Sequence, residues 1–316
     1  MKTETSVISA NKKKNQFIKD LRKQKTLVFM SIPFILYVLV FSYLPLTGWL
    51  MAFQKYRPGK GLLDQEWSGF FQFKLLFQDE TFLRVLRNTL CMSLINLTLG
   101  FITAIGLAIL LNEVKSMRSK KFVQTVSYLP HFLSWIIVCG IIVDVLSPET
   151  GIINQLLLKL NIINSPINFF AEAKYFWGIV GASNIWKETG WNSIIYLAAI
   201  TSISPELYEA ASIDGANRWH KIKHIVLPGI KPTVFILLIM NIGNVLNAGF
   251  EVQYLLGNGM IQKVSQTIDI YVLKYGISMN NFSLATAAGI FKSVISISLI
   301  VIANKAAKAA GEERLF

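Results

Sequence analysis

Acidic residues are few in this sequence: 18 Asp and Glu stand against 31 Lys and Arg, and charged residues together make up only 16% of 316. The length would allow two soluble domains, but so little charge beside such long apolar runs leaves one membrane domain as the economical reading. Cysteine is nearly absent. Cys91 and Cys139 both lie inside apolar runs, form no metal-ligand or redox spacing, and read as small core residues. The three histidines, His131, His220 and His224, lack carboxylate or cysteine neighbours in sequence. Although His220 and His224 stand four apart, no metal site is expected. A phosphate-cradling loop is also missing, because Gly59-Lys60-Gly61 has neither the spacing nor the following helix of a GK[ST] motif. No nucleophile, base and orienting group fall into a catalytic pattern. The chain is therefore expected not to be an enzyme, with no catalytic residues and no metal or cofactor of its own.

What is present is hydrophobicity, at 53% of the residues, with basic residues clustered beside the apolar runs. That clustering, with no stacking pattern of aromatics, fits positive-inside topology better than nucleic acid, so no nucleic-acid partner is expected. Residues 1–25 are polar and basic. The apolar run begins only near Thr26, lasts too long for a signal-peptide core and lacks a small-residue cleavage site, so it predicts a membrane anchor.

Six spans are expected between residues 26 and 304, each with room for the roughly 20 residues a bilayer requires. They run from Thr26 to Gln54, with Pro45 and Gly48 bending or ending the helix, then Asn88 to Asn112, Phe122 to Leu146, Tyr175 to Ile203, Thr233 to Leu256, and Ser283 to Asn304. Residues 55–87 and Gly257 to Phe282 are expected outside, the first with an interfacial, aromatic-rich character and the second as a loop. Residues 305–316 form a polar tail. With the N-terminus inside, the inner segments hold about 19 of the 31 Lys and Arg and the outer ones about 10. Both termini are thereby expected in the cytoplasm, with membrane lipid around the spans.

Within the fourth apolar segment stands Lys187-Glu188-Thr189-Gly190. Charges at that depth cost on the order of 3 kcal/mol each on insertion scales. Either they face a partner or a water-filled path, or they neutralise one another near the outer interface. In the fifth segment Asn244 and Asn247 are three apart and Glu251 is four further on, which predicts one shared helical face. Interhelical hydrogen bonds or a polar path would use it. Lys292, in the sixth span, is expected to face protein or a cavity.

The best-punctuated polar stretch is SPELYEAASIDGANRWHKIKHIVLPGIKP, residues 204–232. Ser204 suits an N-cap, Pro205 the first helical position, and Glu206 and Glu209 the first turn. The helix should pause at Asp214-Gly215, resume from Ala216 and end at Pro228. On the second helix Trp219, Ile222, Ile225 and Val226 predict a docking side, opposite His220, Lys221, Lys223 and His224.

Glu209-Ala210-Ala211, three residues, Gly215, nine residues, Ile225, one residue and Leu227-Pro228 together resemble the EAA loop of binding-protein-dependent ABC importer permeases. The resemblance extends from Arg87-Asn88-Thr89 to the C-terminus. NIWKETGWNSIIYLAAITSISPELYEAASIDGA is similar to the sugar branch, and LNAGFEVQYLLGNG, ATAAGIFKSVISISLIVIAN and Gly311-Glu312-Glu313 to its polysaccharide-type members. The resemblance implies an all-α polytopic membrane protein whose helix-turn-helix at 204–231 is cytoplasmic and couples to an ATPase. There Ala210, Ala211 and Gly215 would permit close approach, and Glu209 would anchor the loop or meet a basic partner. It further implies a second permease subunit, ATP-binding subunits carrying ATP and Mg, an extracellular solute-binding protein and an oligosaccharide substrate. The helix before the loop lines the sugar site in the larger permease of maltose transporters, which maps onto Asn184, Lys187, Glu188 and Trp191, with Asn192 beside them. Two of these are charged here where the maltose type is apolar or small, so the same sugar does not follow. The competing expectation is a self-sufficient secondary transporter or channel, which predicts internal repeats and intramembrane ion ligands.

Overall fold

The computed structural model describes residues 23–311, so most of the basic N-terminal segment, together with Glu312 and Glu313, lies outside the described residues. The described residues begin with α1 (Lys25–Val38), which passes through a π turn at Leu39–Tyr43 into a tighter helical stretch at Leu44–Phe53. No residue between Lys25 and Tyr43 is buried, so this length offers its whole circumference to lipid or to another subunit.

Strands β1 (Gln54–Lys55) and β2 (Glu66–Trp67) pair antiparallel in a small hairpin, the one departure from an all-helical reading among the described residues. Helix α2 (Phe71–Gln78) leads to α3 (Glu80–Glu113), whose N-cap Asp79 accepts a hydrogen bond from Thr81 N at 2.8 Å. The second apolar helix thus begins eight residues before Asn88, because this cap and the buried Phe82 and Val85 hold its first turns.

Helices α4 (Met117–Tyr128) and α5 (Trp135–Val145) follow. The expected span from Phe122 to Leu146 is broken: its two halves meet at 103°, on either side of Leu129–Phe132 and Ser134. Pro130 removes a backbone donor inside the turn, and Ser134 starts the second half by accepting from Ile137 N.

Helix α6 (Ile152–Lys159) lies before α7 (Ala173–Thr201), and α7 packs along α3. Ala104, Ala108 and Leu111 of α3 meet Tyr196, Leu197 and Ile200 of α7 in a core that also takes in Val226 and Ile230. Gly190 allows α7 to touch the broken span, since a Cβ there would lie 1.9 Å from the Ser127 carbonyl oxygen.

Helices α8 (Pro205–Ile213), α9 (Arg218–Lys221) and α10 (Leu227–Gly243) follow in order. Residues 218–243 form one continuous helical stretch, with a π turn at Ile222–Val226. Pro228 therefore does not end the helix as expected. It sits at the head of α10, where the widened turn accommodates its missing N–H. Helices α11 (Phe250–Leu256), α12 (Gln262–Ser265) and α13 (Ile268–Leu273), the last continued by a π turn at Lys274–Ser278, precede α14 (Phe282–Ala309).

Two further expectations need correction. The shared face of Asn244, Asn247 and Glu251 does not form, because the helix stops at Gly243 and the chain turns until Gly249, whose φ of +84° suits glycine. Nor is Gly257 to Phe282 an open loop: Ile268 and Tyr271 are buried against Phe82 and Leu284. Asn88 fastens this segment by donating to the carbonyls of Lys263 (2.9 Å) and Gln266 (3.2 Å), and Thr89 Oγ1 accepts from Ile268 N.

Among the described residues, four helical stretches are long and apolar enough to cross a membrane: Lys25–Phe53, Glu80–Glu113, Arg218–Gly243 and Phe282–Ala309. The bent pair makes a fifth if counted as one span. Helix α7, with 29 residues, matches them in length but carries Lys187 and Glu188 at its middle.

A polar cavity between two long helices as candidate functional site

Helix α7 carries Asn184, Glu188 and Asn192 at successive intervals of four, which stacks them on one face. That face meets α3 at Asn96 and Gly100 and encloses two adjoining cavities of about 150 Å³ and 110 Å³. Both are lined by Asn96, Gly100 and Asn192; Asn184 and Glu188 close one, and Asn241 of α10 the other. Thr103 and Thr189 tie the two helices together at 2.9 Å.

Asn184 donates to Val180 O of its own helix at 2.9 Å, which leaves its amide oxygen available, and the buried Oδ1 of Asn96 has no partner. An amide array of this kind donates and accepts at once, as a polyhydroxylated ligand requires. Each cavity has room for a few water molecules, well below the 300 Å³ or so of a drug-sized pocket. A second wall from another subunit is needed for an oligosaccharide.

Lys187 and Trp191 leave this face. Lys187 is 5% exposed; its ammonium donates to His131 O at 2.6 Å, sits 3.5 Å from Glu188 Oε1 and lies 5.4 Å from the Trp135 ring. Glu188 Oε2 is 2.8 Å from His131 Nδ1. The carboxylate therefore bridges a buried cation and a ring at the break of the third span. Trp191 stacks flat on His131, with centroids 4.4 Å apart, so one face of the indole is already covered. The two open readings of Lys187-Glu188 thus combine: the pair neutralises itself against His131, and Glu188 still borders the cavity.

His131 was not among the predicted site residues, since its carboxylate partner lies 57 positions away in sequence. Pro130 and Ser134 inside an apolar run were the available signal. Asn96 carried a weaker one, the single amide in the charge-free stretch of α3 between Asn88 and Asn112. Asn247 donates to Asn244 Oδ1 at 3.1 Å in the turn after α10, and Glu251 opens α11, apart from the cavity. Lys292 pairs with Asp269 across α14 and α13, resolving its expected partner as protein.

In the punctuated loop Ser204 accepts from Glu206 N, Gly215 has φ +75°, and the second helix resumes at Arg218 rather than Ala216, capped by Asn217, which accepts from His220 N at 2.9 Å. Glu209, Ala210 and Asp214 are exposed, Ala211 and Ile225 half-buried, and Leu227 and Pro228 exposed. Trp219 does not dock on the chain itself: it is 66% exposed, alongside Leu207 (54%) and Ile213 (87%). Burial raises the Tyr208 phenol, with Glu113 adding to the effect.

Residues 82–309 match the family described as "Binding-protein-dependent transport system inner membrane component". The chain is 42% identical over 311 residues to the polygalacturonan/rhamnogalacturonan transport system permease protein YteP of Bacillus subtilis (strain 168), covering 98% of this chain and 96% of that one. It is 43% identical over 296 residues to protein LplB of the same organism, covering 94% and 92%. Among solved structures it superposes with a TM-score of 0.86 and 40% identity on a bacterial ABC transporter involved in the import of the acidic polysaccharide alginate, covering 93% of this chain and 99% of that one. A bacterial alginate ABC transporter in complex with an alginate pentasaccharide-bound periplasmic protein gives 0.87 at 40% identity, covering 94% and 99%.

Proposed function

The chain belongs to the family of binding-protein-dependent transport system inner membrane components, and from that premise we propose that it is the permease through which an ATP-driven importer moves fragments of an acidic polysaccharide into a bacterial cell. It is a transport subunit and not an enzyme; ATP is hydrolysed on separate subunits, and a second permease and a solute-binding protein complete the assembly. The family sets aside the self-sufficient secondary transporter.

The observation that carries the substrate reading is the amide-lined cavity of Asn96, Asn184 and Asn192 with Glu188 at its edge, set within otherwise apolar helices. The names of the relatives supply the acidic class: galacturonan in one, alginate in another. Six spans follow if α7 crosses the membrane despite its charges, its length of 29 residues and its contact along α3 favouring that. The N-terminus, the C-terminus and residues 204–231 then lie in the cytoplasm, in keeping with the distribution of Lys and Arg. The exposed Leu207, Ile213 and Trp219 around Gly215 give an ATPase an apolar surface to grip, with Glu209, Ala210, Ala211, Asp214, Ile225, Leu227 and Pro228 forming its frame. Transport is rocking of helices about a midplane path.

The test is mild solubilisation of native membranes, affinity recovery of this chain and mass spectrometry of its companions. Recovery of an ATPase, a second permease and a binding protein that takes uronate oligomers is expected. A chain recovered alone that transports in an ion gradient would overturn the reading.

A further inference from the structure

At the opposite end of α10 from the punctuated loop, α11, α12 and α13 enclose a second polar cavity of about 260 Å³. Its lining is unusual in what it leaves unbonded. Gln253, Ser265 and Gln266 are 0%, 4% and 7% exposed. The Gln253 amide donates to Ala248 O at 2.6 Å, yet its Oε1 has no partner. Neither the Ser265 hydroxyl nor the Gln266 side-chain amide makes a hydrogen bond among the described residues. A buried oxygen like that of Gln253 is rarely left without a partner, and with the unbonded Ser265 and Gln266 side chains beside it in the same lining it points to a ligand that supplies one. Gly257 keeps the wall thin: a Cβ there would come within 3.1 Å of Ser265 Oγ. Around the opening stand Tyr254, 54% exposed, and the half-buried Lys274, whose ammonium has no carboxylate partner among the described residues.

Amides and a hydroxyl at the floor pair with ring hydroxyls, an aromatic face suits the apolar side of a sugar ring, and an unpaired ammonium suits a carboxylate. The volume falls just short of the 300 Å³ or so at which drug-sized pockets begin, which fits one ring and not a chain of them. We propose that this outer cavity, formed by Gln253, Ser265 and Gln266 with Tyr254 and Lys274 at its mouth, is a subsite for one uronate residue of the incoming saccharide, ahead of the Asn96–Asn192 path. It rests on the acidic-saccharide reading above.

The test uses the complete importer in nanodiscs, with trigalacturonate as the probe, maltotriose as the neutral control and equilibrium dialysis as the readout. Lys274→Met should weaken trigalacturonate about fivefold, the scale of one partly exposed ion pair, and leave maltotriose unchanged. Ser265→Ala should weaken trigalacturonate by a similar factor of about five through a lost hydrogen bond. Both variants should keep the assembled complex and its basal ATP hydrolysis. Trigalacturonate affinity unchanged in both variants, or a loss shared equally by maltotriose in Lys274→Met, would overturn the subsite. Uptake of trigalacturonate by wild-type proteoliposomes supplied with the binding protein keeps the acidic-saccharide reading standing in that event. Its absence overturns that reading and the subsite together.

Discussion

Replacing Glu188 by Gln should harm the protein more than replacing Glu188 and Lys187 together. The carboxylate touches the Lys187 ammonium at 3.5 Å and His131 at 2.8 Å, while Lys187 is 94% covered along its side chain. Removing one partner of a buried pair costs about 3–5 kcal/mol, because the other charge is left uncompensated. Glu188 is 30% exposed, so water screens part of the loss and the low end, about 3 kcal/mol, is expected for Glu188→Gln. Lys187→Met keeps the apolar stem against Trp135 and removes the buried charge, so about 1 kcal/mol is expected. If the charges are coupled, the double variant should cost about 1–2 kcal/mol and not the sum of about 4. The measurement is thermal unfolding of the complete complex in nanodiscs for all four proteins, compared as a cycle. A double variant as damaged as the two singles added together would refute the bridged arrangement at the broken span.

Gly190→Ala should separate α7 from the end of α4, since the new methyl would lie 1.9 Å from the Ser127 carbonyl oxygen; a loss of about 1–3 kcal/mol by thermal unfolding is expected, and an unchanged midpoint would contradict that contact. Gly215→Leu forces a side chain onto φ +75°, at about 1–2 kcal/mol; membrane levels should persist while ATP-driven uptake falls, and normal uptake would remove the coupling role. In the hairpin, the hydrogen bond and charge of Lys55 hold the Glu66 carboxyl below its ordinary range. That contact is present above the ordinary range and lost as pH falls through the lowered value, so amide exchange at residues 54–67 should quicken only in strong acid, with little change in the unfolding midpoint because both side chains are exposed.

Local chemistry was legible in the sequence and bends were not. Ser204, Pro205 and Gly215 act within a few residues of themselves, so cap, first turn and reversal could be read directly. The breaks at Pro130–Ser134 and at 244–249 lie inside apolar runs, where hydropathy registers a slab but not its direction. A continuous helix through Asn244, Asn247 and Glu251 was the natural expectation from spacing, and the left-handed Gly249 defeats it. The cavity was half legible. Asn184, Glu188 and Asn192 declared themselves by cost and spacing on one helix, whereas Asn96 and His131 join them only through packing of α3 and of the broken span. Pro228 misled for a different reason: a proline ends a helix unless the preceding turn widens, and the π turn at Ile222–Val226 is invisible to residue propensity.

That same turn makes residues 218–243 a single rod of 26 residues, about 39 Å at 1.5 Å rise per residue. A rod transmits torque without absorbing it. Between Trp219 and the turn at Asn244 the helix is unbroken, and the first left-handed residue beyond is Gly249. The rod rests on the α3–α7 core at Val226 and Ile230, nearer its Trp219 end than its Gly243 end. On that geometry the arm beyond the contact is the longer one, so any tilt about it would displace the Gly243 end further than the exposed end at Trp219.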